Sequence, residues 1–126
     1  MLALKTDNLQ NIIAENVSHL DGIIRDSLVK VKKLKEKMND LEAKISQVNK
    51  SEKASLTELL KIESDKLNDL CDSLALESKK SWLTYENLEK MSKEKNVKID
   101  RLNQLFLRCK SLEEIASDLL CYSLGH

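Results

Sequence analysis

IAENVSHLDGIIRDSLVKVKKLKEKMNDLEAKISQV, residues 13–48, carries a regular apolar pattern. Apolar side chains recur there alternately four and three positions apart: Ile13, Val17, Leu20, Ile24, Leu34, Met38, Leu41, Ile45 and Val48. Ser27 and Val31 fill the intervening slots, which makes five consecutive heptads. A spacing of 3.5 residues keeps one stripe of a helix facing a neighbour, the signature of a coiled-coil seam. With Ile13, Leu20, Ser27, Leu34, Leu41 and Val48 at d, β-branched residues dominate a and leucine is the commonest d residue. That distribution leans toward two parallel strands. The flanking positions pull the other way, because an in-register parallel pair would oppose Lys30 to Lys35, although the next rung sets Lys37 against Glu42. Ile23 and Leu28 widen the stripe beyond the seam, as expected of a helix touched by more than one neighbour.

The rest of the chain agrees. Proline is absent from the 126 residues and glycine occurs twice, so the usual turn-formers are nearly missing. Aromatic residues are only 3% and charged residues 33%, which disfavours a compact globular core and a sheet. The expected class is all-α: long helices in a coiled-coil hairpin or bundle, a single domain over residues 1–126, completed by oligomerisation. Since 21 basic residues balance 21 acidic ones, no global field recruits nucleic acid, which is not expected as a partner.

The heptads lapse over residues 49–54, and Ser55 with Glu58 then stand at capping-box spacing ahead of Leu56, Leu59 and Leu60. This predicts a turn between helices of roughly 7–48 and 56–95, the alternative being one unbroken helix. The second helix carries Leu56, Leu60, Leu67, Leu70 and Leu74 in heptad order, with Glu63 and Glu77 in core slots. Its stripe continues through Ser78, Trp82 and Tyr85 with a stutter. Ile62, Leu76 and Leu83 share a second face, so contact from two sides is expected. Matched lengths near 40 residues suit an antiparallel hairpin. A last helix, roughly 98–123, places Ile99, Leu102, Phe106, Cys109, Ala116 and Leu120 on one face and Leu105, Leu112, Ile115 and Leu119 on another. Ser111 and Glu114 repeat the capping-box spacing, so either a short terminal helix begins there or the long one continues.

Chemistry finds little purchase. His19 and His126 have no second ligand at metal spacing, and two isolated glycines cannot form a phosphate loop. No cofactor, metal or catalytic residue is expected, and the chain is read as no enzyme. Gly22 is either a tolerated weak point of the first helix or a flexing point or site of close helix approach. Cys71, Cys109 and Cys121, odd in number and lacking a CxxC, read as buried apolar residues of a reducing compartment. With no signal-peptide pattern and no apolar run near 20 residues, an intracellular, cytoplasmic location is expected. The lysines of residues 29–37 form either a solvated face or a surface for an anionic partner. Trp82 and Tyr85, neighbours on a helix, are either a binding hot spot or filling for a wider core.

These features point to a protein-interaction and oligomerisation module, a coiled-coil scaffold or subunit of a larger cytoplasmic or cytoskeletal assembly. Its partners are expected to be itself, as a homo-oligomer, or other helical coiled-coil proteins. The rival reading is a membrane-associated adaptor or tether using Lys30 to Lys37. The residues expected at the interface are Val17, Leu20, Ile24, Val31, Leu34, Met38, Leu41 and Ile45 in the first helix. To these are added Leu67, Leu70, Leu74, Trp82 and Tyr85 in the second, and Leu102, Phe106, Leu112, Ile115 and Leu119 in the last.

Overall fold

The computed structural model describes the backbone of residues 2–95 and 100–124, and the side chains of residues 8–95 and 100–124. Ile99, His126 and the expected start of the last helix at 98 lie outside the described residues. Three helices make up the fold: α1 (Leu2–Ile45), α2 (Lys50–Glu94) and α3 (Arg101–Leu124), with no strand among the described residues.

The first turn falls earlier than the capping-box spacing predicts. Helix α1 ends at Ile45, where Ser46 gives its hydroxyl to the Ala43 carbonyl at 2.7 Å. A serine that satisfies a carbonyl locally competes with the helical ladder. Val48 therefore sits in the turn instead of in a seam position. Helix α2 starts from Asn49, extended at φ −70° and ψ 163°, whose carbonyl accepts the Lys53 amide at 3.0 Å. Ser55 and Glu58 are thus exposed positions inside α2 and cap nothing. Lysine, glutamate and alanine in residues 50–54 are good helix formers, which is why the polar run coils. Ser111 likewise lies within an uninterrupted α3, which settles that alternative in favour of one helix.

The helices run up, down and up. Cys71 reaches the Ala116 carbonyl and Cys109 reaches that of Ser81, so α2 and α3 are antiparallel. Arg108 pairs with Asp21, and the Lys35 ammonium lies 4.4 Å from the centre of the Tyr122 ring. Both contacts join positions 87 apart (108 − 21 and 122 − 35), so α3 is parallel to α1. The α1/α2 seam is antiparallel and intramolecular, against the parallel lean of its a and d residues; a hairpin satisfies the same stripes without a second chain.

Leu9, Ile13, Val17, Leu20 and Met38 of α1 form one core with Leu67, Cys71, Leu74 and Leu88 of α2 and Leu105, Cys109, Leu112, Ala116 and Leu119 of α3. The offset of 87 brings Leu124, the last residue of α3, level with Lys37 (124 − 87). Beyond that level only α1 and α2 continue, and no residue between Met38 and Leu67 is buried. A three-helix body thus carries a two-helix tip.

Candidate partner-binding surface

Small side chains let α2 and α3 approach closely. The Cys109 thiol reaches the Ser81 carbonyl at 3.4 Å, and Ser81 donates to the Ser78 carbonyl at 2.8 Å. Just outside this line the smallness persists, but no described residue of α1 lines it. The result is a groove of about 820 Å³ between α2 and α3, its floor including Ala75, Ser78, Ala116 and Ser117. Leu83 and Leu120 form its apolar lips, 60% and 50% exposed.

Trp82 closes one side. Its ring meets Tyr85 edge-on at 5.8 Å and Phe106 at 5.4 Å, and Tyr85 lies 5.6 Å from Phe106. The Trp82 indole N–H donates to Glu113 at 2.8 Å, locking the ring across the two helices. Both readings of this pair meet here: the aromatics pack between α2 and α3, and Trp82 also borders the groove. Tyr85 donates to Glu89 at 2.8 Å, and burial, reinforced by that carboxylate, pushes its pKa up to about 12. The Tyr85 hydroxyl and the Lys93 ammonium hold Glu89 below the usual carboxylate range.

The residues expected at a partner interface fall mostly inside the molecule. Val17, Leu20, Met38, Leu67, Leu74, Leu112 and Leu119 are buried in the core. Ile24, Val31, Leu34, Leu70, Trp82, Tyr85, Leu102 and Ile115 pack against it, half-buried. Phe106 joins the aromatic group, and Leu41 and Ile45 are half-buried in the tip. Of all these, Trp82 alone lines the groove. The groove lips were missed as site residues, although Leu83 belongs to the second stripe visible in α2. That stripe faces outward: Ile62, Leu76 and Leu83 are 47%, 54% and 60% exposed.

Cys71 and Cys109 are buried, and burial raises both thiol pKa values, with Asp72 adding to the effect at Cys71. Cys121 is exposed and corrects the reading of all three as core residues, because it lies on the outer side of α3 next to buried Leu119. A Cβ on Gly22 would meet nothing within 4 Å, so no close approach requires glycine there. His19 is exposed. Of the lysine cluster, Lys30, Lys32, Lys33 and Lys37 are solvated, whereas Lys35 is held over Tyr122. Among the described residues, no group of three His, Cys, Asp or Glu side chains is placed to hold a metal ion, and no helix is long and apolar enough to cross a membrane. Compared with protein-family models, curated proteins and solved structures, the chain matches none.

Proposed function

We propose that the chain is a non-enzymatic protein-interaction module of an intracellular, cytoplasmic or cytoskeletal assembly, and that its partner surface is the α2/α3 groove with the adjoining outer stripe of α2. The observation that carries this reading is a mismatch. The core closes within one chain, yet Leu83 and Leu120, which share the groove with a tryptophan, and Leu76 on the stripe of Leu83 remain half or more exposed. Contiguous apolar surface left over by a finished core is the physical mark of a binding surface. Trp82 adds a rigid, pre-positioned anchor of the kind found at interface hot spots. Buried free thiols at Cys71 and Cys109 fit a reducing compartment. The membrane-adaptor reading draws less support, because Lys35 is engaged by Tyr122, although Leu28 and Val29 beside the cluster are 52% and 50% exposed.

A photo-crosslinking amino acid placed at Leu83, in the cells that make the protein, tests the reading against the same probe at solvated Lys32. Discrete protein adducts at Leu83 and none at Lys32 are expected. Equal yields at the two positions, or none at Leu83, would remove the assignment.

A further inference from the structure

We propose that the occupant of the groove is a second copy of this chain, docked antiparallel about a two-fold axis beside Leu83. The inference rests on the binding surface assigned above and supplies its partner.

Asp72, Lys79 and Glu86 line the groove, and with Lys93 they repeat every seven residues along α2 with alternating sign. Seven residues is two turns, so all four stand on one side of the helix. Turning a second copy end for end about a point between Trp82 and Leu83 sets Lys79 against Glu86 of the second copy and Asp72 against Lys93 of the second copy. The two-fold axis repeats each pair, so four opposite-charge pairs arise from four residues. A parallel, in-register copy would instead set Lys79 against Lys79 and Asp72 against Asp72. A parallel copy shifted by one heptad matches signs too, but leaves each end unpaired and builds an open filament instead of a closed dimer.

The groove's own charges are available for this. Among the described residues, none of Asp72, Lys79 and Glu86 makes an ion pair, while Lys93 reaches Glu89 at 3.3 Å with its side chain 78% exposed. The apolar part fits the same operation, since Leu83, 60% exposed, falls next to the axis and meets its counterpart over the groove. A formal net charge of zero removes the long-range repulsion that keeps like molecules apart. Matched charges set orientation and register more than affinity, and the apolar lips supply the driving force.

Sedimentation equilibrium of the full chain at micromolar concentration, with four sequences, is the test. The natural chain should be a dimer, and Leu83→Asp a monomer with unchanged circular dichroism, because an exposed side chain is not needed for folding. Lys79→Glu should weaken the dimer by about tenfold by turning two attractive pairs repulsive. Lys79→Glu combined with Glu86→Lys in one chain should restore it, because the symmetric pairs are again opposite in sign. A natural chain that stays monomeric overturns the proposal; crosslinks from Leu83 to a different protein would then leave the binding surface itself standing. A dimer that survives Leu83→Asp, or a double variant that fails to recover, overturns the proposed surface or its register.

Discussion

The body and the tip are built from one continuous pair of heptad stripes and yet reach different ends. In the body Ile13, Leu67 and Leu112 are at most 1% exposed, because α3 covers the open side of the α1/α2 hairpin. In the tip Leu41, Ile45, Leu56 and Leu60 occupy equivalent seam positions and are only half-buried. Two helices in contact leave each apolar stripe partly wet, and a third helix is what dries it. A seam residue is therefore fully buried here only where α3 stands beside it, and Ile24, Val31 and Leu34 stay half-buried even within its reach.

The largest consequence is a contrast between leucines. Leu112→Ala, at a fully buried position, should lower unfolding free energy in urea by about 3 kcal/mol, as large-to-small changes in close-packed cores do. Leu41→Ala in the tip should cost less, about 1.5 kcal/mol, since part of that side chain is already in water. Comparable losses at the two positions would erase the distinction between body and tip.

A smaller effect, of opposite sign, is expected at their junction. Asn68 pairs with Ser123 near the end of α3, and Glu63 stands just beyond. Its side chain is 13% exposed and, among the described residues, one carboxylate oxygen is buried without a partner, while the other takes Lys66 at 3.3 Å. Because an incompletely paired, largely buried carboxylate is costly and a pair with an exposed lysine adds little, Glu63→Leu should stabilise the chain by about 1 kcal/mol. Destabilisation on thermal melting would show that the junction depends on that ion pair.

The weakest effect appears only in alkali. The Tyr85 pKa rises from 10.0 to about 12 on folding, so the folded chain holds the proton that the unfolded chain releases. That contribution is fully present below pH 10.0 and is lost as the pH climbs through about 12. Melting temperature should fall across that window, and Tyr85→Phe should flatten the fall. A phenolate absorbance change complete near pH 10 in the folded protein would contradict it.

Much of this was legible beforehand and some was not, for identifiable reasons. The heptads of residues 13–48 and the scarcity of glycine and proline point to long helices, and the matched lengths of the first two suit a hairpin. The turn falls earlier than the spacing predicts because Ser46, a single residue making a local hydrogen bond, ends α1, while the polar run that follows is itself helix-forming. The candidate surface was hidden by ambiguity in α2, which has two apolar stripes. Periodicity names both, and only the position of α3 reveals that the one with Leu67 and Leu74 turns inward and the one with Leu76 and Leu83 outward. The interface expected along the cleaner seam is therefore core.

Residue-resolved hydrogen exchange on the native chain tests most directly whether the third helix is what divides the molecule. Backbone amides of residues 39–61 should exchange through local opening, on the order of a hundredfold faster than those around Leu20, Leu74 and Leu112, which should open only with global unfolding. Uniform protection from body to tip would contradict the account.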